Sequence, residues 1–237
     1  MKKKNFFEKK EYLDLKYSSA RAPHSNYPDK LAFYIKDNFF KNQGRLLDIG
    51  CGTGDMMRAF SKYGFEVSGT DIAEVNEVSN KFNFVIGNLE EEKLNFDPNT
   101  FDFIFSKSVI EHLRNPINLL NESYRLLNAR GKCVIMTPSW KHNSWGPFYF
   151  DFTHVSPFTK PSLRDAMLMA GFKNVKIFHF YQLPIIWKLP FLSVISKIIS
   201  KLPIPYRPFY DIGFPNELNK FIRFSNEVML FAYGEKN

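Results

Sequence analysis

Read for apolar and polar positions, the chain alternates short apolar runs with helical patterns over most of its length. Residues 8–20 read as an amphipathic or irregular lead-in, and the turn-rich stretch Ala22 to Pro28 follows. A helix is predicted over Asp29–Asn38, with Phe39-Phe40 continuing its apolar content to Gly44. Leu46-Leu47-Asp48-Ile49 is an apolar run closed by glycines, the pattern of a buried parallel strand. A helix over Asp55–Lys62 comes next, then strands at Phe65–Thr70, Phe84–Ile86 and Phe101–Phe105. A helix over Pro116–Leu127, with apolar Ile117, Leu119, Leu120, Leu126 and Leu127, leads through Gly131 to a fifth strand at Lys132–Thr137. Strands alternating with helices predict an α/β fold whose sheet is mostly parallel, with right-handed crossovers.

After Pro138 the pattern breaks. Residues 139–158 are rich in aromatic residues, histidine and turn formers, as a long functional loop or lid would be. Lys160-Pro161-Ser162-Leu163 opens a helix that ends at Gly171, and Val175–Phe180 alternates as a strand should. Glu227–Gly234 reads as a closing edge strand. Between these last strands lies an insertion, residues 181–225, with prolines at 184, 190, 203, 205, 208 and 215. Within it, residues 190–202 are amphipathic at helical spacing. Positions 191, 194, 195, 198, 199 and 202 form an apolar face; Ser193, Ser196, Lys197, Ser200 and Lys201 form the other. The first expectation is a helix that packs its apolar face on the domain or in a dimer. The alternative is a peripheral membrane contact. The organisation is one domain, with an N-terminal cap (1–42), a core (43–180), the insertion (181–225) and a last strand (226–237).

The net charge of +8 sharpens this division. Residues 1–42 carry +5, residues 43–172 carry −2 and residues 173–237 carry +5, so the basic excess belongs to the two flanks. No nucleic-acid partner is expected, because no Arg-rich tract or RNA-binding signature is present. Two cysteines, Cys51 and Cys133, do not make a disulfide framework, and a reduced cytoplasmic setting is expected. The basic opening lacks an apolar stretch and a small-residue cleavage site, so no signal peptide is expected. No run of 18 apolar residues is long enough to span a bilayer.

The most informative segment is Asp48-Ile49-Gly50-Cys51-Gly52-Thr53-Gly54-Asp55, where a strand gives way to a helix. Glycines at 50, 52 and 54 let the backbone approach a ligand and present N–H groups at a helix start. The dinucleotide fingerprint needs glycine or alanine where Asp55 stands, and a pyrophosphate would meet that carboxylate. No Gly-Lys-Ser/Thr follows for a nucleoside triphosphate. The turn suits a nucleoside without a pyrophosphate.

The run Asp48-x-Gly50-x-Gly52-x-Gly54 resembles the first motif of class I S-adenosylmethionine (SAM) dependent methyltransferases. The segment Phe101-Asp102-x-Ile104-x-Ser106-x-Ser108-Val109-Ile110-Glu111-His112-Leu113 looks like the fourth-strand motif of the O-methyltransferase branch that includes enzymes of ubiquinone biosynthesis. Thr137-Pro138 and Gly171-Phe172 are similar to the family as well, and the resemblance covers about residues 40–180 and the last strand. It implies a Rossmann-like fold with a seven-stranded, mostly parallel sheet, and SAM as cofactor. The glycine turn, with Cys51 as a small residue inside it, would hold the methionine end, and Asp48 would orient the loop. Asp71 would take the ribose hydroxyls and Ile72 would cover the adenine. Asn88, standing where the family more often has Asp, and Leu89 would contact the adenine. The backbone at Ser106 and Lys107 would border the sulfonium.

The acceptor side offers candidate bases. Glu111-His112 follows the fourth strand, and the resemblance places this pair near the acceptor. His154 lies in Asp151-Phe152-Thr153-His154, and similar Asp-x-x-His segments occur in methyltransferases of sugar and polysaccharide pathways. A loop histidine beside a carboxylate suits a general base for a hydroxyl, which is a weak nucleophile at neutral pH. His142 shares its loop with Trp140, Trp145, Phe148, Tyr149 and Phe150, which would stack on a sugar or form a mini-core. His24 and His179 are expected to be structural or exposed. Glu111, His112, Asp151 and His154 are able in principle to bind a divalent metal, but no ligand spacing demands one and none is expected. The DNA-methyltransferase run Asn/Asp-Pro-Pro-Tyr/Phe is absent after the fourth strand, where Phe105-Ser106-Lys107-Ser108 stands. The expected activity is therefore O-methylation of a sugar, glycan or related small molecule. A membrane-associated quinone or lipid-linked acceptor, or a SAM-binding regulator without catalysis, are the alternatives.

Overall fold

In a computed structural model the strands predicted from the apolar runs join into one sheet in the order β3-β2-β1-β4-β5-β7-β6. The structure describes residues 26–74, 76–91, 93–202, 204 and 217–237. The predicted lead-in at 8–20, His24 and the prolines at 203, 205, 208 and 215 lie outside the described residues. The strands are β1 (Arg45–Ile49), β2 (Glu66–Asp71), β3 (Asn83–Ile86), β4 (Phe101–Lys107), β5 (Leu127–Pro138), β6 (Lys173–Phe180) and β7 (Met229–Glu235). The first five pair in parallel, and β7 runs antiparallel to both β5 and β6. The last strand is therefore not an edge: it inserts between β5 and β6 and is buried from Met229 to Gly234. The edge is β6, where exposed Lys173 and Asn174, with Lys176, discourage further strand pairing.

The apolar runs divide between two faces as a strand period of two requires. Leu46, Phe103, Phe105, Val134, Met136 and Phe231 point to one core, capped by helices α1 (Tyr27–Ile35) and α2 (Asp55–Lys62). Leu47, Ile49, Ile104, Cys133, Ile135 and Leu230 point to the other, covered by α3 (Ile117–Leu126) and α4 (Lys160–Met169). Most of the core phenylalanine lies on the first face. Phe40, Phe60, Phe65, Phe103 and Phe105 meet ring to ring, and Phe39 stacks across Phe178, Phe231 and Tyr233. Each such pair adds about 0.5–1.5 kcal/mol beyond its buried area. A π-helical turn at Lys36–Phe40 follows α1 and brings Phe39 and Phe40 inward, where the sequence pattern predicts one uninterrupted α-helix.

Helix α4 starts where Pro161 and Ser162 predict. Thr159 and Ser162 form a reciprocal capping box. Among its described residues the insertion has three α-helices, α5 (Pro184–Lys188), α6 (Ser193–Ile199) and α7 (Glu217–Asn226), with a 3-10 turn at Pro190–Leu192. They share a small core of Tyr181, Leu183, Ile186 and Val228, with Trp187, Leu192, Phe221 and Phe224 packed against it. No helix among the described residues is long and apolar enough to cross a membrane.

Candidate functional site

The carboxyl ends of β1, β2 and β3 carry the predicted cofactor residues. Gly50, Gly52 and Gly54 all adopt positive φ (76°, 50° and 74°), the region that favours glycine. The amides of Gly50 and Cys51 both donate to the Thr70 carbonyl, at 2.7 and 3.1 Å, which fixes the turn against the end of β2. A Cβ at Gly50 would stand 2.2 Å from Val109 Cγ2, so the turn needs glycine for packing as well as for backbone angle.

Asp71 does more than the sequence predicts. Its Oδ2 accepts from the Gly52 amide at 2.8 Å and its Oδ1 from the Ile72 amide at 2.7 Å, so one side chain clamps the glycine turn to the start of the next loop. With the Ala73 amide as a third donor, the carboxylate keeps one of its four lone-pair sites for a ligand hydroxyl. Burial pushes the Asp71 pKa up, and the amides of Gly52, Ile72 and Ala73 hold it down. Asp48 is buried at the end of β1, and its pKa is pushed up to about 8, first by desolvation and then by Asp71, with Lys107 opposing. Cys51 is buried and its thiol is pushed above the ordinary range by desolvation and by Asp48 and Asp71. A thiol so placed is a packing group, not a nucleophile.

Ser106 is buried and its hydroxyl donates to the Ile49 carbonyl at 2.9 Å, tying β4 to β1 beside the glycine turn. Leu89 is buried, and its carbonyl accepts from Asn118 Nδ2 at 2.9 Å. Asn88 follows β3. Its Oδ1 accepts from the Glu90 amide, while its Nδ2 is buried with no protein acceptor. A nucleobase nitrogen is the kind of acceptor that this orphaned donor lacks. With the three left-handed glycines and the clamping carboxylate, this donor gives the β1–β3 edge polar groups of the kind a nucleoside cofactor needs.

The acceptor-side candidates gather beyond β4. Glu111 is fully buried. Its Oε2 accepts from the Thr137 hydroxyl at 2.9 Å, its carbonyl accepts from the amides of Val155 and Ser156, and its Oε1 has no hydrogen-bond partner. Burial pushes its pKa up to about 7. It therefore ties the loop after β5 to the turn after β4. His112 Nδ1 lies 2.9 Å from Thr153 Oγ1, which donates in turn to Asp151 Oδ1 at 2.5 Å. His154 Nδ1 lies 2.6 Å from the Phe148 carbonyl, a contact that requires the proton on Nδ1 and makes Nε2 of the neutral ring an acceptor. Nε2 stands 3.9 Å from Asp151 Oδ2. The two histidine rings meet edge to face at 4.6 Å. The spacing of Glu111, His112 and His154 in sequence predicts no metal, yet their ligand atoms come within 4.8 Å of one another, a set that could receive a divalent cation. The hydrogen bonds of each residue already account for the cluster as a brace between β4 and the loop.

A cavity of about 230 Å³ opens beside this brace. His154, Asp151, Asn143 and Phe150 line it from the loop, Lys107 and Ser108 from the end of β4, and Gln182, Arg223 and Glu227 from the insertion. His112 and Glu111 do not line it. The loop aromatics split between the two predicted uses: Phe148 is buried as a mini-core, whereas Trp145, Tyr149, Phe150 and Phe152 are exposed. His142 and His179 meet ring to ring, which gives His179 the structural place expected of it.

Gln182, Arg223, Glu227 and the side chain of Lys107 join the site without a motif that marks them. Arg223 and Glu227 form an ion pair at 2.8 Å across one helical turn, and their i, i+4 spacing was the available signal. Half-buried Lys107 feels both Asp48 and Glu111, so it stands electrostatically between the two sites; burial pulls its pKa down.

Comparison with known proteins fits this arrangement. The sequence matches a methyltransferase domain family over residues 20–177, more than half of the chain. A ubiquinone biosynthesis O-methyltransferase of Ruegeria is 29% identical over 163 residues, which make up 61% of this chain and 66% of that protein. A SAM-dependent methyltransferase of Archaeoglobus fulgidus superposes with a TM-score of 0.64 at 20% identity, over 96% of this chain and 100% of that one. Phosphoethanolamine N-methyltransferase 2 of Haemonchus contortus, solved with S-adenosyl-L-methionine, superposes with a TM-score of 0.64 at 20% identity, over 98% of this chain and 59% of that one. At these identities the two superpositions speak for the fold. The family match speaks for the chemistry, and on it the chain belongs to the SAM-dependent methyltransferases.

Proposed function

We propose that this enzyme methylates a hydroxyl of a sugar, glycan or related small molecule, with His154 as general base. The observation that carries the reading is the cavity of about 230 Å³, where His154 shares the lining with amide, carboxylate and guanidinium groups and with the ring of Phe150. Hydrogen-bonding groups on several sides and an aromatic platform suit a small polyhydroxylated acceptor. The O-methyltransferase relative supports oxygen as the attacked atom.

Bound SAM supplies an electrophilic methyl group on a sulfonium. The work left to the protein is to hold the acceptor in line, exclude water and remove one proton. His154 Nε2 accepts that proton as the oxygen attacks. Its Nδ1–H stays on the Phe148 carbonyl and fixes the ring. Asp151, itself held by the amide and hydroxyl of Thr153, stabilises the imidazolium from 3.9 Å. His112 and Glu111 position this group through Thr153 and through the amides of Val155 and Ser156.

The test is an acceptor screen read by S-adenosylhomocysteine release. A sugar or glycan acceptor should turn over, and His154→Ala should lower kcat by about 10²–10⁴-fold while leaving SAM affinity unchanged. Full turnover by His154→Ala would remove the base. Product release only with amine acceptors would remove the reading altogether.

A further inference from the structure

We infer that the outer face of α5 and α6 docks onto an anionic lipid surface. The sequence pattern of residues 190–202 predicts the serines and lysines outward and the apolar residues inward. The fold keeps the lysines outward, but it turns Ser196 inward and leaves much of the apolar face exposed. Ser196 is fully buried, and Ser225 Oγ of α7 donates to its Oγ at 3.0 Å. Phe191, Val194 and Ile198 stand 69%, 56% and 56% exposed, and Ile185, Leu189 and Leu202 are exposed around them. The inner side of this subdomain already has its core, in which Ile186 is buried and Trp187, Leu192, Phe221 and Phe224 take part. Among the described residues the outer apolar side chains take no part in this core, and exposed apolar residues grouped on one segment mark an interaction surface.

Charge selects the occupant. Lys188, Lys197 and Lys201 are exposed on the same short segment, and no aspartate or glutamate occurs anywhere between Asp165 and Asp211. A second copy related by a two-fold axis would set these lysines against their own equivalents. An anionic bilayer offers the complement to both parts of the patch, hydrocarbon for Phe191, Val194 and Ile198 and headgroup charge for the lysines. Seven-residue α6 and five-residue α5 cannot cross a bilayer, so the contact is interfacial. The docking face is coupled to the cavity, because α7 carries Arg223 into the cavity lining and Ser225 onto α6, and Gln182 precedes α5 by two residues. Docking would hold the cavity beside the membrane surface. The inference stands on the patch alone and does not depend on which acceptor the cavity takes.

Flotation of the full chain with vesicles tests it. Binding is expected to vesicles that contain phosphatidylglycerol, with little to pure phosphatidylcholine, and it should weaken as salt is raised. Lys188→Glu/Lys197→Glu/Lys201→Glu should reduce binding by about 100-fold or more, at about fivefold for each lysine charge lost and further for each carboxylate gained. Val194→Ser/Ile198→Ser should reduce it as well. All variants are on exposed positions and should keep SAM affinity and melting temperature, which separates failure of this inference from failure of the methyltransferase site. The inference is overturned if the unaltered chain ignores anionic vesicles, if neither variant changes its binding, or if light scattering shows a dimer that Val194→Ser/Ile198→Ser dissolves.

Discussion

The two halves of the sheet's carboxyl edge are built by opposite means. On the β1–β3 side every polar group lies between residues 48 and 89, and main-chain amides do the organising: Gly50 and Cys51 donate to Thr70, and Gly52 and Ile72 donate to Asp71. On the β4–β5–β7 side the groups come from residues 107 to 229 and are held mostly by side chains: Thr137 on Glu111, Thr153 on His112, Glu227 on Arg223. A site set by backbone conformation tolerates little change. A site set by loops and an insertion can change its acceptor without disturbing the other, which is how one fold serves many substrates.

The comparison breaks first at Gly50. A Cβ there meets Val109 Cγ2 at 2.2 Å, and φ is +76°. Gly50→Ala should cost about 2–4 kcal/mol from strain and crowding together. In a chain of this size that lowers Tm by about 5–15 °C. Calorimetry should also show SAM binding lost. Gly50→Ala/Val109→Ala should recover the part due to crowding and not the part due to φ. No recovery at all would mean that the close approach to β4 is not what demands glycine.

Asp71 gives the next largest effect. Losing its hydrogen bonds should weaken SAM binding by about 30–100-fold, from about 2–3 kcal/mol for bonds to a charged group. At saturating SAM, kcat should hold. His154→Ala should show the converse pattern, a fall in kcat with SAM affinity intact. Titration calorimetry and steady-state kinetics on both variants decide it. If Asp71→Ala lowers kcat instead of affinity, the two halves are not separable in this way.

The contrast also explains what could be read beforehand. The glycine turn and Asp71 were legible because each is local, fixed by a few consecutive residues at a strand end. The strands of the core were legible because one apolar residue in two serves each face. The acceptor cavity was only half legible: Asp151 and His154 share one loop, but Arg223 reaches them from an insertion 69 residues further on, a distance no local pattern spans. The α6 face was legible as amphipathic but not in direction, since periodicity gives a stripe and not its partner. Ser225, whose hydroxyl draws Ser196 inward, has no signal in that stripe. The place of β7 inside the sheet was hidden for the same reason, because strand order depends on pairing rather than on composition.

A third effect distinguishes the halves by proton release. With a pKa pushed up to about 8, Asp48 of the free enzyme is mostly protonated at pH 7. A cationic ligand over the glycine turn favours the carboxylate, so SAM binding at pH 7 should release up to about one proton per site. Calorimetry in buffers of different ionisation enthalpy reads that number directly. The release should vanish at pH 9, where the carboxyl is already ionised, and in Asp48→Asn at any pH. Unchanged release in Asp48→Asn would assign the proton to another group. The same shift has a stability consequence. The folded pKa lies above the unfolded one, so the free enzyme should lose stability as pH rises from about 4 to about 8.

The smallest effect runs the other way and belongs to the acceptor half. His179 on β6 has its pKa lowered to about 4, first by burial and then by His142, Lys160 and Lys141. His142, whose ring meets it at 4.5 Å, is lowered as well, by burial and Lys141. A histidine with a depressed folded pKa contributes fully above its unfolded pKa of about 6.5, and that contribution is lost as pH falls toward 4. Both rings are half-exposed, so solvent screening keeps the effect near 1 kcal/mol. His179→Phe keeps the ring contact and removes the titration. Its Tm should fall less between pH 7 and pH 5 than that of the unaltered chain, by about 2–4 °C. Equal falls would show that the pair is not what makes this half acid-sensitive. A smaller fall would give the acceptor half an acid-side limit from its histidines, in addition to the alkaline-side limit that raised carboxyls set in both halves, Asp48 in one and Glu111 in the other.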